Sequence, residues 1–258
     1  MKRLSSLLLI SIVAFVTANS AIAQKRRKGP PNQNALVSAT RLRETGATAV
    51  VIDGSLSVLR SKPSLFAEPI QRMRRGRKVV IQGVAEADGI KFYKVAAPPT
   101  NVGWVQADAV YGIFRPNDEE RLARLVQASD GFDQIEIATE FFNLYPKSSF
   151  RPAILLLFGD LLEEVAAKLS KDSATRLPRR EMSASGAPVY SYYLNFVSLD
   201  RYRKLGIIFL FNAATRSFHY DGASWKEIAD KYPQSNEAIE ARKRLDSLKQ
   251  KMESQLAK

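Results

Sequence analysis

Between residues 47 and 115, apolar residues recur in short runs separated by Gly, Pro, Asp and Ser. Ala49, Val50, Val51 and Ile52 form one run, Leu56, Val58 and Leu59 a second, and Val79, Val80 and Ile81 a third. Ile90, Phe92, Tyr93 and Val95 follow a turn at Ala87-Asp88-Gly89, Trp104 and Val105 follow Gly103, and Ile113 to Pro116 close the segment. Short runs rich in β-branched and aromatic residues, bounded by turn formers, predict the strands of a small antiparallel barrel.

From Asn117 onward the period lengthens to about 3.6, the mark of amphipathic helices. Asn117 with Glu120 predicts one helix start and Asp133 with Glu136 another, each pair having capping-box spacing. Leu122, Leu125 and Val126 line the first face; Ile137, Ala138, Phe141, Phe142 and Tyr145 line the second. A longer helix is expected over residues 152–171, with Pro152 at its start and an apolar stretch at 154–158 that should be buried. Residues 172–191 form a polar break holding Pro178, Gly186 and Pro188. Helix is expected again over 199–217, with Tyr202, Leu205, Ile208, Phe209 and Ala213 inward. Ser224 with Glu227 predicts one further start, ahead of Trp225, Ile228 and Ala229. The last stretch, with Ala238, Ala241, Leu245, Leu248 and Met252 at heptad-like spacing, is too short to argue a coiled coil and reads as a terminal capping helix.

Two corners in this helical half echo each other. Tyr145-Pro146-Lys147-Ser148 and Tyr232-Pro233-Gln234-Ser235 lie 87 residues apart, each after an apolar helical face and before an alanine- and leucine-bearing helix. Proline stops the first helix, and the two apolar stripes then meet as a hairpin.

Both halves resemble known families. Arg60, Ser61, Pro63 and Ser64, then Gly76 with Val79 to Ile81, then Gly103-Trp104-Val105, resemble in their order the bacterial SH3 (SH3b) family. That resemblance implies an SH3-like barrel used for binding at the cell envelope. The Tyr-Pro-x-Ser corners resemble those of tetratricopeptide-like (TPR-like) repeats, which implies a scaffold for protein contacts. Their spacing is not a multiple of the roughly 34-residue repeat, so the repeat count stays open. The fold class expected is therefore α+β multidomain, a small SH3-like β-barrel (residues 47–115) followed by an all-α, helical-repeat TPR-like domain (residues 116–258).

The N-terminal stretch alters the expected location. Lys2 and Arg3 precede an apolar run over 7–16, and Ala21-Ile22-Ala23 offers small residues for cleavage, so residues 1–23 read as a signal peptide. The run is shorter than the about twenty residues of a membrane span, and no later segment qualifies, so no transmembrane segment is expected after cleavage. Residues 24–46 follow as a basic, proline-bearing linker, whose Lys25-Arg26-Arg27-Lys28 also allows an uncleaved N-terminal anchor. The expected location is periplasmic or secreted. The net charge is +13, which in an exported protein favours peptidoglycan or another anionic envelope polymer over nucleic acid.

Candidate chemistry is sparse. The chain has no Cys and one His, which excludes Cys–His devices and ordinary zinc sites, and no cofactor is implied. A Ser–His–Asp set using His219 and Asp221 is formally available, but Ser217 to Gly222 reads as a turn between helices and there is no Gly-x-Ser-x-Gly elbow. Glu140 and the Glu163-Glu164 pair are the carboxylates on which a peptidoglycan glycan hydrolase, the alternative reading, would rely. The favoured expectation is a non-enzymatic envelope scaffold. Its expected ligand groove is Tyr93, Tyr111, Arg75 and Arg77, with Trp104 packed under the barrel against Val79 and Ile81 and protein partners met by the helical half.

Overall fold

Alternation along the first half does become strand. A computed structural model describes residues 43–97, 101–177 and 179–253 of the chain; the expected signal peptide and most of the linker lie outside them. Seven strands form one curled antiparallel sheet, a half-barrel: β1 (Thr48–Val51), β2 (Val58–Arg60), β3 (Pro69–Arg72), β4 (Lys78–Ala87), β5 (Ile90–Ala97), β6 (Asn101–Gln106) and β7 (Val110–Tyr111). Their spatial order is β3-β2-β6-β5-β4-β1-β7. The tight β4–β5 turn needs two residues of positive φ, which Asp88 (φ 54°) and Gly89 (φ 71°) supply. Register shifts at Leu59/Arg60 and at Ile81/Gly83 help bend the sheet.

The inner face holds Ala49, Val51, Leu59, Val79, Ile81, Tyr93, Val95 and Val105 in one apolar core. The outer face of the sheet is divided. At β1 and β7, Val50 and Tyr111, together with Ile52, belong to the same hydrophobic cluster as the helices. Around Val80, Lys94 and Val102 that face is open to solvent, whereas Phe92 of β5 is wholly buried.

Helices α1 (Asp118–Ala128), α2 (Gly131–Leu144) and α3 (Arg151–Arg176) follow, the last running five residues past its expected end at 171. The second begins earlier than the sequence suggested, with Asp130 as its N-cap. Asp133 and Glu136 instead bind Arg75 of the β3–β4 loop, whose Nε also donates to the Ile52 carbonyl at 2.9 Å. Asp118 is fully buried; it accepts the Gly112 N–H at 3.1 Å and side-chain bonds from Arg115 and Arg121 at 2.8 and 2.9 Å. These contacts tie sheet to helices.

The expected helix over 199–217 does not form. After short helices α4 (Arg179–Ala184), α5 (Val189–Leu194) and α6 (Asp200–Arg203), the chain makes a β-hairpin of β8 (Phe209–Asn212) and β9 (Ser217–Tyr220). Asn212 Oδ1 accepts the N–H groups of Ala214 and Thr215, and Arg216 takes a positive φ of 54°, closing the turn. Phe209, Phe218 and Tyr220 are buried, while Ile208 and Ala213, expected inward, are exposed. Helices α7 (Ala223–Lys231) and α8 (Glu237–Glu253) complete the chain.

Both corners close with the same three backbone bonds. Tyr145 N–H donates to Phe141, Ser148 N–H to Tyr145 and Arg151 N–H to Ser148. Tyr232, Ser235 and Ala238 make the matching bonds to Ile228, Tyr232 and Ser235. Between the two helical hairpins lie three short helices and the β-hairpin, so regular repeats do not fill the interval.

Candidate functional site

Of the four expected groove residues, Arg75 borders a cleft of about 920 Å³ together with Met73, Asp133 and Glu136, whereas both tyrosines are buried. Tyr93 is wholly buried in the inner core, edge-to-face with Phe114 at 6.2 Å between ring centroids, and burial raises its phenol pKa. Tyr111 is buried where sheet meets helices, with the Arg121 guanidinium 5.0 Å from its ring centre. Neither ring lies open to solvent. Strand register turns Tyr93 inward, and the helices cover the face on which Tyr111 lies. Arg75 is taken up by Asp133, Glu136 and the Ile52 carbonyl, and Arg77 is half-buried beside it in the chain.

Trp104 is also elsewhere than expected. Its neighbours Gly103 and Val105 point inward against Val95 and Tyr93, so alternation puts Trp104 on the outer face. There it is half-buried, paired across the sheet with Arg60 of β2 on one side and Lys94 of β5 on the other. Val80, Ala96 and Val102 are cross-strand partners on the same face, with Val80 42% and Val102 46% exposed. The loop between β2 and β3 is pinned: Arg60 Nη1 donates to the Ala67 carbonyl, and Ser64 Oγ and Leu65 N–H donate to Asp88 at the β4–β5 tip. It holds Phe66 89% exposed. The open face is thus an apolar platform with cations on both flanks of an indole.

Glu140 lines a cavity of about 820 Å³ beside Gly76, Lys78, Ile113 and Phe114, and burial raises its carboxyl pKa. Glu164 points to solvent.

Glu163 meets His219, and here the sequence reading missed a cluster. His219 lies on a strand rather than in a turn; its partner is Glu163 of α3, while Asp221 accepts the Ala223 N–H at the start of α7. His219 Nδ1 is 3.0 Å from Glu163 Oε1 and its Nε2 is 3.1 Å from Ser217 Oγ. Glu163 Oε2 accepts the Tyr220 N–H at 2.9 Å, Ser170 Oγ accepts the Phe218 N–H at 2.7 Å, and Lys251 Nζ lies 2.7 Å from Glu163 Oε1. Burial disfavours the Glu163 carboxylate, but the bonds from His219, Lys251 and the Tyr220 N–H outweigh it and hold its pKa down to about 2. The cluster borders a cleft of about 730 Å³, also lined by Phe218, Trp225, Arg244 and Leu248. Two signals were present in the sequence: residues 217 and 219 share one face of a strand, and residues 163 and 170 share one face of a helix.

Among the described residues no group of three or more His, Asp or Glu side chains is placed to hold a metal ion. No helix among them is long and apolar enough to cross a membrane. Compared with protein-family models, with curated proteins and with solved structures, the chain matches none of them.

Proposed function

We propose that this chain is a binding protein of the bacterial cell envelope, exported to the periplasm or beyond, whose sheet engages peptidoglycan or a similar anionic wall polymer. The observation that carries the reading is Trp104 on the open outer face, between Arg60 and Lys94 and beside exposed Val80 and Val102. A partly exposed indole with aliphatic neighbours presents flat apolar surface, and cations on both sides attract carboxylate and phosphate. Support for an SH3-like identity comes from the ordered strand pattern and the curled antiparallel sheet. Support for a TPR-like, protein-contacting role of the helical half comes from the two corners with matching hydrogen bonds. Export rests on the pattern of residues 1–23. Binding in this sense asks no bond-breaking of the sheet.

The test is pelleting of the mature chain with purified sacculi at low and high salt. The wild type should be enriched in the pellet, and Trp104→Ala should lower the apparent affinity about tenfold, equivalent to about 1.4 kcal/mol. High salt should weaken the Arg60 and Lys94 contribution. No enrichment, or equal enrichment of Trp104→Ala, would remove the proposal.

A further inference from the structure

From the cleft between α3, β9 and α8 we infer a second activity, separate from the sheet: hydrolysis of acyl esters with Ser217 as nucleophile, His219 as general base and Glu163 orienting the imidazole.

Three observations carry it. The first is the linear chain Ser217 Oγ to His219 Nε2 (3.1 Å) and His219 Nδ1 to Glu163 Oε1 (3.0 Å), with the two contacts on opposite nitrogens of one ring. A carboxylate can only accept, so Nδ1 carries the proton of a neutral ring and Nε2 is left to accept from the serine hydroxyl. The second is rigidity. The N–H groups of Phe218 and Tyr220 donate to Ser170 and Glu163 of α3, so strand and helix are fixed against each other on both sides of His219. The third is access: Ser217 and His219 border the cleft of about 730 Å³, where Phe218, Trp225 and Leu248 offer apolar wall for an acyl chain.

The chemistry closes without a cofactor. Ser217 Oγ attacks the ester carbonyl carbon while its proton passes to His219 Nε2. The carbonyl oxygen carries the negative charge of the tetrahedral adduct, and Thr215 Oγ1, 2.6 Å from Ser217 Oγ, can donate to Ser217 Oγ while the serine proton is directed at His219. The carbon–oxygen bond to the leaving alcohol then breaks, and that oxygen takes the proton from Nε2, leaving acyl-Ser217. Water attacks the acyl carbon, gives its proton to Nε2, and the carboxylic acid departs as Ser217 recovers that proton. Glu163 touches no substrate and acts as a positioning residue, and Lys251 Nζ braces its Oε1.

The experiment uses the full chain, a fluorophosphonate probe read by peptide mass spectrometry, and p-nitrophenyl butyrate as reporter ester. The folded wild type should gain one adduct, on Ser217, and should hydrolyse the ester. Ser217→Ala should lose both, and His219→Asn should be labelled at least about a hundredfold more slowly. If circular dichroism shows His219→Asn unfolded, Ser217→Ala decides, because Ser217 is half-exposed and its side-chain bonds run to Thr215 and His219. Labelling of native protein no faster than of urea-unfolded protein, or ester hydrolysis surviving in Ser217→Ala, overturns the inference. Its failure leaves the sheet-face proposal standing, since sacculus pelleting reads Trp104 with Arg60 and Lys94 on the sheet and none of the cleft residues.

Discussion

Gly159, in the middle of α3, allows a prediction in which two effects of opposite sign compete. Helix propensity alone favours Gly159→Ala by about 1 kcal/mol, because glycine loses the most backbone entropy on becoming helical. Packing opposes it. A Cβ at this position would lie 2.3 Å from Trp225 Nε1, 2.6 Å from Ser224 Oγ and 2.7 Å from Trp225 Cε2. Contacts this short force the indole to move, yet Trp225 is only 2% exposed and has little room to retreat. Displacing a well-packed core side chain costs about 3 kcal/mol, so the net effect should be destabilisation of about 2 kcal/mol. Guanidinium unfolding followed by tryptophan fluorescence measures it, with an unchanged m-value showing that native stability alone has altered. Trp225→Phe provides the control. It removes Nε1, a buried donor without a hydrogen-bond partner, and with it the closest clash. In that background Gly159→Ala should cost at least about 1 kcal/mol less than in the wild type. A Gly159→Ala protein as stable as the wild type, or the same cost in both backgrounds, would refute the close approach of α3 and α7.

Asp118→Ala should destabilise by about 3–5 kcal/mol in the same assay, because it strips a buried acceptor from the Gly112 N–H and leaves Arg115 and Arg121 without their shared carboxylate. Arg75→Ala should cost about 2 kcal/mol, and Arg75→Lys should restore only part of it, since one ammonium cannot reach the Ile52 carbonyl, Asp133 and Glu136 in the geometry of a guanidinium. Glu163 has a pKa of about 2 when folded against an ordinary 4.5, so its stabilisation is present above the ordinary value and is lost as pH falls towards 2. That loss is about 3 kcal/mol, and urea unfolding across the acid range should show a shallower pH dependence in Glu163→Gln; an unchanged dependence would exclude Glu163 as the titrating group.

Much of this architecture was legible in the residues themselves. Period-2 alternation, the Asp88-Gly89 turn and the prolines after Tyr145 and Tyr232 act over a few neighbouring positions, and local backbone sterics are enough to make them strands, a hairpin and helix corners. The hairpin over 209–220 was not legible, because Ile208, Phe209 and Ala213 read as one face of a helix and Ser217 to Gly222 as the turn after it. What selects strand is docking against α3, where Ser170 and Glu163 accept the edge N–H groups of β9. Inward and outward positions of the sheet were also undecided, since alternation gives two faces without saying which is covered. Curling of the sheet buried Tyr93 and turned Trp104 outward, and the helices covered Tyr111. The Glu163–His219 contact spans 56 residues of chain. Periodicity can place each partner on a face of its own element, but only the packing of strand on helix brings the two faces together.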